Sequence, residues 1–297
     1  MNLKNSFHPY AFAAILMWSL GYVFTRLALQ YFSAFSLGFL RYFVASCALV
    51  VVAGLTKMKL PNRKDLPWFF VSGGVGFFIY MIAFNQGQGM VSSATGSIVI
   101  ATAPVMTAFL ARIVYRDKLK AFQWAAIAIE FLGVAVLTLM DGVFSINIGI
   151  LWLLLAAFNF SIYNLLQRKL TKTYTSLQTS TYSIFSGTLM LAIFAPISVR
   201  EISQAPAAQF LYVAILGVGC GAIAYVAWSK AVSKAKQTSQ VSNYMFISPL
   251  LTSVLGFIIA GEVPDLGTLV GGGIILIGVL LFNFGGNLFA KLHPKGN

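Results

Sequence analysis

Acidic residues are scarce in this chain: seven Asp and Glu stand against twenty Lys and Arg in 297 residues. Charged residues of both signs make up 9% of it, where a soluble domain carries about 25%. No paired-carboxylate motif for acid–base hydrolysis is present. Histidine is confined to His8 and His293 near the termini, so the core offers no imidazole for a metal or for catalysis. The two cysteines, Cys47 and Cys220, lie in apolar runs and give neither a disulfide framework nor a CxxC metal spacing. No Walker A sequence occurs, which removes the usual cradle for ATP. Gly217-Val218-Gly219-Cys220-Gly221-Ala222 matches G-x-G-x-x-A in form. It sits inside an apolar run with no flanking strand, so close helix packing is its better account. Nothing in the sequence calls for a cofactor or a metal.

What is abundant is apolar. The chain is 59% hydrophobic, with a mean hydropathy of +0.84. Such a chain cannot hide its surface from water and belongs in a bilayer. A spanning helix needs about 20 mostly apolar residues. Ten such segments can be marked, near 9–30, 34–55, 67–86, 92–114, 121–140, 147–167, 177–197, 208–229, 239–260 and 266–287. The expected fold is an all-α polytopic membrane protein of ten transmembrane helices. The first run follows Lys4 as a signal peptide would, but its length suits a span. Pro61, Pro206 and Pro264 punctuate short polar loops, where a helix cannot continue.

The net charge of +13 does not point to nucleic acid, because the basic residues sit in short loops between apolar runs. Their distribution sets an orientation instead. With a cytoplasmic N-terminus, the inner segments hold sixteen Lys and Arg, among them Lys57, Lys59, Arg63, Lys64, Arg168, Lys169 and Lys172. The outer loops hold only Arg200. This bias places both termini in the cytoplasm of a multi-pass protein in the inner or plasma membrane.

The two halves resemble each other without a gap at an offset of 145 residues. Gly74, Gly76 and Tyr80 fall on Gly219, Gly221 and Tyr225. Ser97, Pro104 and Thr107 fall on Ser242, Pro249 and Thr252, and Gly133-Val134 on Gly278-Val279. Self-similarity at a fixed period indicates two copies of one unit, here residues 1–145 and 146–297. Each unit holds five spans, an odd number, so the copies are inverted. The loops agree. Arg116-Asp117-Lys118 after span four becomes Gly261-Glu262-Val263 after span nine, keeping an acid and losing every base.

These residues resemble the EamA type of drug/metabolite transporter. The likeness rests on Ser97-x6-Pro104 leading to Arg116-Asp117-Lys118, and on its repeat Ser242-x6-Pro249 leading to Gly261-Glu262. Gly133-Val134, Gly278-Val279, Leu40-Arg41-Tyr42 and Met17-Trp18-Ser19 add to it. Asp117 stands where Glu is more usual. The resemblance covers nearly the whole chain. It implies two inverted five-helix repeats and a central cavity lined mainly by spans one, three, four, six, eight and nine. It also implies span five at the periphery, and export of small metabolites such as amino acids.

Pro104 and Pro249 lie in mid-span at matching positions. Each removes a backbone donor and clashes one turn earlier, which frees the carbonyls of Ile100 and Met245. Paired interruptions in two repeats mark a midplane binding site; a packing kink is the alternative. Trp18, Ser19, Tyr22 and Arg26 share a face of span one. Tyr80 and Phe84, Asn159 and Tyr163, Tyr225 and Trp228, and Ser242 and Asn243 supply similar faces on spans three, six, eight and nine. Arg26 apart, these residues with Ser97, Arg41 and the two prolines form the candidate binding set. Large aromatics with a few polar groups suit a small amphipathic ligand; helix–helix adhesion is the alternative.

Four charges lie within spans: Arg26, Arg41, Arg112 and Glu130. Arg26 and Arg112 are near span ends, where snorkelling suffices. Arg41 is deeper and suits a substrate carboxylate or a structural partner. Glu130 is the one candidate for carrying a coupled proton, though its counterpart is Ile275. A neutral carboxyl bonded to a neighbouring helix, or placed at a dimer contact, is the alternative. Gly267-x3-Gly271 in span ten can meet span five or a second subunit, the latter giving a homodimer through spans five and ten.

The leading expectation is a secondary transporter that exports or exchanges small metabolites, above all amino acids or related carboxylates, by alternating access. A drug or cation efflux transporter, a channel and a non-transporting scaffold are the alternatives. A lipid-modifying enzyme would need acids or histidines clustered near one surface, and the spans hold one acid and no His. The expected partners are the bilayer and a small-molecule substrate.

Overall fold

The computed structural model describes residues 6–115, 120–139, 147–235, 241 and 243–292. Among these every regular element is helical and no strand occurs. Seven helices are long and apolar enough to cross a membrane: α1 (His8–Ala28), α2 (Ala34–Leu55), α3 (Arg63–Met90), α4 (Ser93–Val114), α6 (Ile148–Leu170), α7 (Ser176–Ser203) and α8 (Ala207–Lys234). Three further helices, α5 (Ala121–Leu139), α9 (Ser248–Ala260) and α10 (Leu266–Leu292), carry shorter apolar stretches. Hydropathy asked for ten spans; among the described residues seven helices are long and apolar enough to cross a membrane. The join near 141–146, the loop 116–119 and Ser242 lie outside the described residues.

Small polar residues start these helices. The side chains of Ser33, Ser92 and Asn147 accept hydrogen bonds from Ser36, Thr95 and Gly149 backbone N–H groups. Thr175 and Gln178 form a reciprocal capping box at the start of α7. Such caps satisfy donors that a helix end leaves unpaired. In apolar surroundings that requirement is stricter.

Two helices widen. α3 passes through a π segment over Gly74–Ile79, and α8 through one over Ile215–Ile223. These segments contain the glycines that match across the halves. A Cβ on Gly76 would stand 2.4 Å from Tyr163 Cδ2, so Tyr163 of α6 packs directly on the bare α3 backbone. In α8 the matching Gly221 faces Ala45 of α2 instead, and α1 is tied there by Trp18 Nε1, which donates to the Cys220 carbonyl at 3.2 Å.

Two other helices break. α4 is interrupted by a turn at Ala101–Thr102, and Pro104 lies in the first turn of the segment that follows. Ahead of α9, Asn243–Ile247 forms a 3-10 turn, and Pro249 again lies in the first turn of the next helix. Proline is tolerated there because that N–H has no partner within its helix. The prolines thus open new helical segments rather than kink continuous ones.

The core is aromatic and lies where α1, α2, α3, α6 and α8 meet. α5 stands to one side and packs on α10. Their glycines cross: a Cβ on Gly133 would meet Ile275 Cγ1 at 2.7 Å, and one on Gly278 would meet Glu130 Cγ at 2.7 Å. Large apolar side chains such as Val51, Leu55, Phe131 and Phe257 point outward, as a lipid-facing surface requires.

Candidate functional site

A small cavity lies between α1, α3, α4 and the turn before α9. Trp18 and Tyr22 of α1, Arg41 of α2, Tyr80 and Phe84 of α3 and Ser97 of α4 all line it. All six belong to the candidate set. The remaining walls are Ile15, Gly21, Ile100, Ala101, Phe160, Met245 and Ser248. Ile100 and Met245 are the residues whose carbonyls the prolines free. Pro104 and Pro249 themselves are not in the lining; the turns that precede them are.

Arg41 dominates the electrostatics. It is 4% exposed, and its Nε and Nη1 have no hydrogen-bond partner. Among the described residues no carboxylate pairs with it. The Tyr42 ring centroid lies 5.8 Å from its guanidinium carbon. A buried cation without a counter-ion is costly. Here it borders a cavity that holds no acid, an arrangement able to receive an anion. The cavity volume is about 20 Å³, room for about one water.

The rest of the candidate set divides. Trp18 meets Tyr225, Trp228 and Phe160 with ring centroids at 5.1, 5.0 and 5.7 Å. Tyr163 adjoins the same group, 5.9 Å from Tyr225. These rings form the cavity wall and the packed layer behind it. Ser19 turns to Ser248, with hydroxyls 3.3 Å apart, and so ties α1 to α9 beside the cavity. Asn159 does not reach the cavity; its amide donates to the Leu155 carbonyl of its own helix at 2.9 Å. Phe160, the next residue, is in the wall instead. Asn243 begins the 3-10 turn, and Ser242 lies outside the described residues.

Glu130 is also away from the cavity. It is 4% exposed in the α5–α10 contact, against Gly278, and its Oε1 lacks a partner. Arg112 is exposed in the last turn of α4. Arg26 is not a snorkelling cation. Its Nε lies 2.8 Å from Glu262 Oε1, and it also donates to the Val91 carbonyl. Charge spacing along the chain gave no sign of that pairing.

Apolar helices packed around an aromatic core, with large apolar side chains on the outside, define a multi-pass membrane protein. A model of the EamA-like transporter family matches residues 6–139 and 147–284. The chain belongs to that family, bearing out the resemblance to EamA-type drug/metabolite transporters. It is 31% identical to the uncharacterized transporter YdfC of Bacillus subtilis, over 90% of this chain and 87% of the relative. It is 29% identical to a protein named "Probable terminal-alkyne amino-acid exporter" from Streptantibioticus cattleyicolor, over 91% and 90%. A crystal structure 18% identical in sequence superposes over 100% of both chains with a TM-score of 0.66, which shows the shared fold. Family and relatives point to a transporter rather than an enzyme.

Proposed function

We propose that this protein is a secondary transporter that exports or exchanges small carboxylate-bearing metabolites, above all amino acids with bulky or aromatic side chains. The observation that carries this is Arg41, buried at the cavity with no carboxylate partner among the described residues. A substrate carboxylate supplies the missing charge, and bidentate geometry suits a guanidinium. The rings of Trp18, Tyr22, Tyr80, Phe84 and Phe160 supply apolar contact for the side chain. The amino-acid exporter among the relatives supports the same substrate class.

The mechanism is alternating access by two inverted five-helix repeats, 1–145 and 146–297, with ten spans and both termini cytoplasmic in the inner or plasma membrane. Four paired features support the repeat. They are the π segments of α3 and α8, the breaks before Pro104 and Pro249, the aromatic contacts of Trp18 and Tyr163, and the crossed Gly133–Ile275 and Gly278–Glu130 contacts. The glycine faces of α5 and α10 are used within the chain. Any homodimer through these two helices therefore uses their outer faces.

A counterflow screen of purified protein in liposomes tests this reading. Saturable exchange of amino acids, with bulky side chains preferred, is the expected result. Exchange of permanent cations alone would sink the anion-site argument.

A further inference from the structure

With the termini inside, the ends of α1, α3 and α9 at Arg26, Val91 and Glu262 form the outer mouth of the path. We propose that Arg26 is a second carboxylate site at this mouth, held by Glu262 when the mouth is closed and by the substrate's carboxylate when it opens. This rests on the functional reading above and extends it from the cavity to the exit.

The local chemistry builds the site from Gly261. This residue has φ 65° and ends α9, in the left-handed region that disfavours other residues. The turn swings Glu262 back over Gly256, where the missing side chain leaves room for the carboxylate. Glu262 then has three partners: Arg26 Nε at 2.8 Å, the Ser93 N–H at 2.9 Å and the Ser93 hydroxyl at 3.1 Å. One carboxylate thus pins α9 to α1 and to the start of α4. Arg26 completes the knot through the Val91 carbonyl.

Three observations make Arg26 a site rather than a fixed latch. First, the pair is wet: Arg26 is 35% exposed and Glu262 16%. The Arg26 guanidinium is thus partly open to solvent, and exchanging one carboxylate for another leaves its charge neutralised. Second, Arg26 borders a polar cavity of about 230 Å³ that also includes Ser92, Thr95, Asn147 and Thr268. The other acid there, Asp265, is engaged through Oδ1 by the Thr268 N–H at 2.6 Å. Third, the two cavities lie along one face of α1. Tyr22 lines the cavity of Arg41, and Arg26, four residues and about 6 Å further along the axis, lines the outer one. A carboxylate leaving Arg41 along this face meets Arg26. On reaching Arg26 it displaces Glu262, releases Ser93 and removes one polar tie between α9 and α4.

The test measures exchange of twenty radiolabelled amino acids in whole cells and in inside-out vesicles. It compares the wild type with Glu262→Gln, Arg26→Gln and Arg26→Lys. Competition predicts opposite signs. Glu262→Gln removes the rival and lowers the external KM about fivefold, whereas Arg26→Gln raises it about tenfold, with the internal KM within about twofold for both. Arg26→Lys keeps the charge and shows a smaller rise, which reads the site even if Arg26→Gln fails to fold; melting temperatures identify that case. A mere latch is broken equally by either change, so shifts of the same sign, or equal shifts on both faces, overturn this proposal and leave the functional reading intact. A wild type that exchanges none of the amino acids overturns both.

Discussion

At the scale of single residues, Arg41 carries most of the argument. A charge-assisted hydrogen bond contributes about 1.5–3 kcal/mol. Arg41→Gln is therefore expected to lower kcat/KM for a carboxylate substrate about 10- to 100-fold, as read by counterflow. Arg41→Lys should recover only part of this, because an ammonium lacks the planar fork. Full recovery by Lys would mean that Arg41 supplies charge alone. Glu130 behaves differently, since it faces Gly278 rather than the cavity. Glu130→Gln, which keeps shape, is expected to leave flux unchanged at any imposed proton gradient. Loss of proton-driven flux in that variant would return Glu130 to the transport path. The sequence marked both residues as charges within spans and could not separate them, because the difference lies in what each one faces. It also named Asn159 for the cavity where Phe160 is in the wall. A polar residue in a span draws notice, but it was satisfied by its own helix.

At the scale of elements, backbone chemistry explains the cavity. The breaks before Pro104 and Pro249 put turns, not helix faces, against it. Alanine at either position restores a donor and lets the helix run through. Because each proline sits in a first turn, this should cost less than about 1 kcal/mol of stability. Flux should nonetheless fall about tenfold as the walls straighten. An unchanged rate in both variants would make the breaks packing features. These breaks were legible from the sequence because proline acts locally. The π segments were not, although the matching glycines marked where they fall. The α5–α10 contact gives an independent check. Gly133→Ala and Gly278→Ala should each lower the melting temperature, since overpacking costs about 1–3 kcal/mol. A drop in only one would show that the two contacts are unlike.

At the scale of the whole molecule, the proposed orientation fixes which side of the membrane Arg26 faces. With Cys47 and Cys220 replaced, Arg200→Cys should react with an impermeant maleimide in intact cells, and Lys172→Cys only after permeabilisation. The reverse pattern would invert the topology and move Arg26 to the cytoplasmic mouth. The amino-acid sequence by itself determined that the chain lives in a bilayer, that it is all helix, that its halves match and where two of its helices break. Those properties follow from hydropathy, periodicity and backbone sterics, which act over a few turns of chain. Only the tertiary structure decided which charged group faces a cavity, which lies in a helix contact and which pairs at the mouth. Among the described residues Arg41 stands without a carboxylate, and Arg26 finds Glu262 from the far end of the chain. The reason is physical: a helix fixes the direction of its side chains, but the packing of rods on one another fixes what those side chains meet.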